Sequence, residues 1–166
     1  DVVPLYFIAQ IIGAMLGTRL NYIHHLDHYR ATDDEATIRG SFCTAPAIRN
    51  IKNNLFSETL GTFVLIFGIL FIVSPNIVIE GMETNQFGIG SLEALPVALL
   101  VWVIGMSLGG TTGYAINPAR DFGPRLAYQL LRRKKAQADW AYSWVPIVGP
   151  LLGATLAALL HTILVV

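Results

Sequence analysis

The sequence predicts an all-α membrane protein, and three observations carry that prediction. Hydrophobic residues fill 54% of the 166 positions and charged residues only 13%, about half the charged share of an ordinary soluble domain. The mean hydropathy is +0.56. The apolar residues gather into runs long enough to cross a bilayer. None of these runs shows the polar face that a helix of a water-soluble core turns to solvent. Eleven Lys and Arg balance eleven Asp and Glu, so no net field recruits nucleic acid. Cys43 is the single cysteine, which excludes a disulfide framework and a paired-cysteine metal site.

Residues 2–16 form the first uncharged run, ending ahead of Arg19, and no basic stretch precedes them as in a secretory leader. Residues 55–73, LFSETLGTFVLIFGILFIV, carry one charge, Glu58. At about 1.5 Å per residue this run approaches the ~30 Å hydrocarbon thickness. Residues 95–108 are uncharged and are extended by the quiet stretch 109–117. Residues 145–166 carry no charge unless His161 is protonated. Two polar connections separate the spans. Residues 21–54, with His24, His25, His28 and the adjacent Asp33, Asp34 and Glu35, read as a solvated loop. His24 and His28 have i,i+4 spacing, but no further ligand set makes a metal site. Residues 74–93, with Pro75, Gly81, Gly88 and Gly90, read as a second loop.

The segment 109–143 is too long for a turn and too apolar at first for an aqueous loop. It contains GGTTGYAINPARDFGPRLAYQLL and then Arg132, Arg133, Lys134 and Lys135. Asn117 suits a helix N-cap and Pro118 the first helical position. Phe122, Leu126, Ala127 and Leu130 then recur at helical spacing. Residues 118–131 would span roughly 21 Å, enough to cross part of a bilayer as a half-helix. Irregular backbone at that depth survives only when buried in protein or lining a watery cavity. The half-helix N-terminus offers free N–H groups and about half a positive charge. Arg120 in its first turn runs against that dipole, and an intramembrane charge is a functional hypothesis. It reads as a pore-lining donor or, less specifically, as a partner for a carboxylate or loop carbonyl. Asp121 offsets it and forms an i,i+4 pair with Arg125. Glu58 has no second carboxylate or His in its span with which to relay protons. Gly13/Gly17, Gly105/Gly109 and Gly149/Gly153 are small-xxx-small pairs suited to close helix approach. No nucleophile–base pair, metal set or phosphate loop appears, so no enzyme, cofactor or metal is expected.

The run Gly113-Tyr114-Ala115-Ile116-Asn117-Pro118-Ala119-Arg120-Asp121-Phe122-Gly123-Pro124 resembles the second Asn-Pro-Ala signature of the aquaporin superfamily. Asp121 directly after Arg120, Arg125, and Pro146-Ile147 resemble its glycerol-facilitator (aquaglyceroporin) branch. The resemblance implies a right-handed helix bundle of two inverted repeats, each made of helix, helix, re-entrant half-helix and helix. Residues 1–53 would be the last transmembrane helix of the first repeat plus an extracellular connection, and residues 54–166 a complete second repeat. Ile11-Ile12-Gly13-Ala14 echoes Leu151-Leu152-Gly153-Ala154 at equivalent places. No first Asn-Pro-Ala motif is present, so the first repeat is incomplete and the chain looks like the C-terminal two-thirds of a facilitator.

The implied function is passive diffusion of glycerol, other small neutral polyols and water through a multi-pass, homotetrameric channel of the cell membrane. Asn117 would donate to a solute at mid-channel, and Arg120 at a constriction where its charge opposes cations. Tyr114 falls where the branch usually has Phe, and Gly105 where water-selective members have a bulkier His. Gly113, Ala115 and Ile116 would continue the same wall. Glu58 would accept N–H groups from the backbone of residues 111–115, while Pro118, Ala119, Asp121 and Arg125 support the half-helix. A water-selective pore is the nearest alternative, disfavoured by Asp121 and Gly105; a non-conducting structural protein is the other. Counting positive charges puts the two basic segments, 19–52 and 120–135, in the cytoplasm, whereas the family places both outside; the family orientation is expected.

Overall fold

In the computed structural model, which describes residues 2–72, 90–132 and 136–165, the regular structure is helical, with no strand among the described residues. The elements are α1 (Val3–His24), α2 (Leu26–Ala31), α3 (Glu35–Gly40), α4 (Ile51–Phe71), α5 (Ala94–Leu108), α6 (Pro118–Leu131) and α7 (Val145–Val165), with a 3₁₀ turn over Gly90–Glu93 before α5. The all-helical expectation holds. α1, α4 and α7 have 22, 21 and 21 residues and are long and apolar enough to cross a membrane. α5 is a shorter apolar helix of 15 residues.

Local chemistry explains the ends. Pro4 occupies the first turn of α1, and the N–H of His25 closes its last turn on Asn21 O at 3.0 Å. The Asn50 side chain accepts from Asn53 N–H and starts α4 at Ile51, three residues ahead of the expected boundary. The loop expected at 74–93 falls outside the described residues as far as 89, as do Arg133, Lys134 and Lys135 of the basic run.

The connection 21–54 is a correction to the solvated loop. It carries α2 and α3, and it folds a small core of its own. Tyr29, Ile38 and Phe42 are buried with Tyr128 and Ala138, and Tyr22 stacks on Tyr29 at 5.2 Å between ring centroids. Asp34 caps α3, accepting from the N–H groups of Ala36 and Thr37. Those bonds, the Thr37 hydroxyl first, hold the Asp34 carboxyl below its ordinary value. The apolar and aromatic residues scattered among the charges fund this packing, while Asp27, Asp33 and Asp34 stay exposed and Glu35 is drawn partly inside.

Long-range packing joins α4 to α7 most extensively, α1 to α6, α5 to α4 and α6 to α7. Glycines set the closest approaches. A Cβ on Gly153 would lie 2.3 Å from Thr59 O, and one on Gly149 would lie 2.6 Å from Glu58 Cβ, so the α4–α7 seam admits no side chain at either place. Gly123 of α6 meets α1 in the same way, 2.7 Å from Ala14 Cβ. The expected close approach at Gly13 and Gly17 is not made: neither has an atom within 4 Å of an added Cβ. No residue of α1 is buried, and Leu5, Phe7, Ile8, Ile12, Leu16 and Leu20 are all exposed. Such an all-apolar exposed surface suits hydrocarbon or further protein, not water.

Candidate functional site

Between α5 and α6 the backbone leaves helical geometry. Gly113 has φ +77°, Tyr114 +38° and Ile116 +42°, the left-handed region that side chains other than glycine occupy at a cost of about 1–3 kcal/mol each. Glu58 holds the strained residues in place. It is 1% exposed, and its two oxygens accept the N–H groups of Ala115 at 3.0 Å and Ile116 at 2.9 Å. The partners sit at the end of the stretch expected for it and one residue beyond. Gly113 N–H adds a bond to Gly109 O at 2.9 Å, and Ala47 N–H ties down Thr111 O at 3.0 Å. Ala115 is fully buried, and Ile116 turns its side chain toward Gly61 of α4, 3.1 Å from a Cβ built there. The Ala115 side chain is thus enclosed by protein and that of Ile116 is half-buried against α4.

The next residues begin α6 as the sequence predicts. Asn117 is extended at φ −155°, its side-chain oxygen accepts from Ala119 N–H at 2.9 Å, and Pro118 follows at the first helical position. With its oxygen engaged, the carboxamide nitrogen is the group left to donate. Asn117, Pro118 and Ala119 line a cavity of about 250 Å³ with Phe7, Gln10 and Ile11 of α1 and Ile147 and Leu151 of α7. Its wall is apolar apart from the two carboxamides. A second cavity, about 280 Å³ around Asn50, Asn53, Asn54 and Ser57, includes none of the expected residues.

Tyr114, Gly105 and Arg120 come together. A Cβ on Gly105 would lie 3.1 Å from Tyr114 Cζ, so the tyrosine ring rests over the space the glycine leaves. The Arg120 guanidinium stands 5.8 Å from the centre of the same ring, within cation–π range. Arg120 is exposed and makes no ion pair among the described residues, so the carboxylate-partner reading of it is not realised. The Gly105/Gly109 pair likewise faces this ring, not a helix.

Asp121 and Arg125 pair behind this surface, each with no side-chain exposure, at 2.8 Å. Asp121 also accepts the N–H and hydroxyl of Thr44 at 2.8 and 2.6 Å, and Arg125 donates to Thr44 O at 2.8 Å and to the carbonyl of Ala138. The far end of α6 is tied to α3: Arg132 and Tyr128 both donate to Glu35. Arg49 pairs in two-pronged fashion with Asp139 at 3.0 and 2.8 Å. Burial works to raise the Asp139 carboxyl, but the Arg49 pair outweighs it and holds the group below its ordinary 3.8. Sequence reasoning missed Thr44, Glu35 and Asp139, which stand 77, 93 and 90 positions from the partners they meet. Cys43, buried beside Thr44, has its thiol pushed up to about 11 by burial and so stays protonated and unreactive. Groups of metal-ligating side chains are absent among the described residues.

Comparison with known proteins adds to this geometry. The family model described as "Major intrinsic protein" matches residues 2–161. A probable glycerol uptake facilitator protein of Thermotoga maritima is 48% identical over 160 residues, covering 96% of this chain and 64% of that protein. The glycerol uptake facilitator protein of Bacillus subtilis is 47% identical over 160 residues, covering 96% of this chain and 54% of its own length. A D/L-lactic acid transporter of Lactiplantibacillus plantarum is 44% identical over 158 residues, covering 92% and 61%. Among solved structures, the aquaglyceroporin from Plasmodium falciparum superposes with a TM-score of 0.75 at 29% identity, covering 96% of this chain and 62% of that one. The chain spans less than two thirds of the length of these relatives.

Proposed function

The chain belongs to the major intrinsic protein family, a multi-pass protein of the cell membrane, and from that premise we propose that the whole protein is a channel for glycerol and other small uncharged solutes, with water. The observation that carries this reading is the capped N-terminus of α6, where Asn117 opens on a largely apolar cavity and Arg120, one turn on, stands over the Tyr114 ring. A polyol leaving water needs its hydroxyl partners replaced on one wall and apolar contact for its CH groups on the other. Asn117 Nδ2 and the Arg120 guanidinium supply donors; the Tyr114 ring, lying over Gly105, supplies the apolar side. The cation of Arg120 and the positive end of the α6 dipole oppose the entry of protons and metal cations. Glu58 keeps the donor-bearing stretch rigid, so little reorganisation accompanies each solute. Gly113, Ala115 and Ile116 contribute through their backbone, while Pro118, Ala119, Asp121 and Arg125 fix the start of α6.

In this reading residues 54–166 form one repeat, residues 1–53 the end of another with its outer connection, and four copies of the whole protein assemble in the bilayer. Glycerol is the first solute to test because relatives at 47–48% identity carry that name. Uncharged lactic acid is the second, because a relative at 44% does. Swelling of vesicles containing the whole protein, in glycerol and in water gradients, tests the proposal. Entry of both is expected; water flow without glycerol entry favours a water-selective pore, and flow of neither rejects conduction.

A further inference from the structure

We propose that Thr44, on the connection outside the membrane-spanning helices, sets the separation of Tyr114 and Arg120 and thereby the width of solute that passes. The proposal rests on the channel reading above. Thr44 is 7% exposed and meets both sides of the pair through their chain neighbours. On one side its N–H and hydroxyl donate to Asp121 Oδ2 at 2.8 and 2.6 Å, and its carbonyl accepts from Arg125 Nη2 at 2.8 Å. Asp121 directly follows Arg120 in the first turn of α6. On the other side its methyl lies 3.3 Å from where a Gly113 Cβ would stand. Gly113, at φ +77°, directly precedes Tyr114. One residue thus bonds side chains in the first turns of α6 on one side and flanks Gly113 on the other, behind the Tyr114–Arg120 pair, whose guanidinium stands 5.8 Å from the ring centre.

The short hydroxyl–carboxylate bond is charge-assisted and therefore among the stronger contacts in the molecule. Losing it frees the first turn of α6 to shift, and the guanidinium, at the end of a long side chain, magnifies that shift. The Thr44 methyl occupies the space beside Gly113 that a side chain there would need. Thr44 touches no solute, so its role is positional.

The test uses the whole protein in vesicles and compares glycerol with a wider, branched polyol, pentaerythritol. Thr44→Val keeps the methyl and removes the hydroxyl. The pentaerythritol-to-glycerol permeability ratio is expected to rise about tenfold, the low end of the discrimination that one pocket contact supplies. Thr44→Ser, which keeps all three polar contacts, restores the ratio to within about twofold of the parent. Because both solutes are read on the same vesicles, the ratio is independent of how much protein folds. A merely structural Thr44 lowers both fluxes by one factor and leaves the ratio where it was, and that result overturns the proposal. Thr44→Ala serves if the valine variant is not recovered, with the same expected rise. A serine variant as altered as valine also overturns it. A parent protein that passes neither polyol brings down the channel reading itself, which is a separate result.

Discussion

On its inner side the stretch 113–116 is held by a buried carboxylate that takes two of its N–H groups, while on its outer side Tyr114, Asn117 and Arg120 lie exposed. The inner side behaves as a protein interior must: the N–H groups of Ala115 and Ile116 meet a carboxylate, and the strain of two left-handed side-chain-bearing residues, Tyr114 and Ile116, is contained. The outer side leaves donors without protein partners among the described residues beside an aromatic face, the arrangement the proposed channel requires. The glycine pairs make the same contrast on a larger scale. Gly149 and Gly153 are filled by α4, whereas Gly13 and Gly17 meet nothing within 4 Å. A small-xxx-small pattern permits close approach; a partner helix has to be there to use it.

Breaking the inner side has the largest expected effect. Glu58→Leu orphans the buried N–H of Ala115 and the part-buried N–H of Ile116, at up to about 1–3 kcal/mol each, and abolishes both folded yield and solute flux. Glu58→Gln keeps one acceptor oxygen and falls between. Yield of folded protein in detergent and flux in vesicles measure both.

The glycine contrast predicts a smaller, paired effect. Gly153→Ala sets a methyl group against Thr59 O and is expected to cost about 1–3 kcal/mol, as overpacking does. Gly13→Ala is expected to change stability by less than about 0.5 kcal/mol in the negative direction, alanine being the better helix former. Thermal unfolding of the two variants decides this. An equal loss at Gly13 would reveal a partner for α1 elsewhere in the whole protein.

On the outer side Arg120→Ala is expected to leave stability within about 1 kcal/mol of the parent, since no ion pair is lost and only the exposed cation–π contact with Tyr114 goes. The same change raises proton or cation leak through the vesicles. An unfolded Arg120→Ala protein would mean that the guanidinium braces the fold.

The smallest effect concerns the exposed tie of the connection. The Asp139 carboxyl is held below its ordinary 3.8 in the folded protein, so its stabilisation is present above that value and is lost as pH falls through the lower folded-state value. Arg49 is half exposed, which limits the pair to under about 1 kcal/mol. Arg49→Ala is thus slightly less stable than the parent at neutral pH, and the two unfold alike in strong acid. Unfolding midpoints across pH measure the gap.

The features legible in the sequence were those written locally. Asn117-Pro118 declares a helix start within two residues, Asp121 and Arg125 find each other one turn apart, and the long apolar runs need only their length. The ties of Thr44, Glu35 and Arg49 to α6 and its following loop join residues 77 to 93 positions apart, and no pattern along the chain points from one to the other. The helices α2 and α3 were hidden for a related reason. Each has six residues, too few to show a periodicity, and their burial depends on Tyr128 and Ala138 far along the chain. Gly105 stands where the resemblance puts a bulkier His in water-selective members, and the space that its missing side chain leaves is covered by the Tyr114 ring, a consequence of a left-handed backbone that residue types alone do not announce.

The central claim is that the capped end of α6 faces a path for solutes, and Tyr114→Cys in the whole protein addresses it most directly. A membrane-impermeant thiol reagent applied to vesicles is expected to label the new cysteine, to block glycerol entry, and to act more slowly in the presence of glycerol, while the buried Cys43 stays unlabelled. Labelling that leaves glycerol entry untouched would contradict the account.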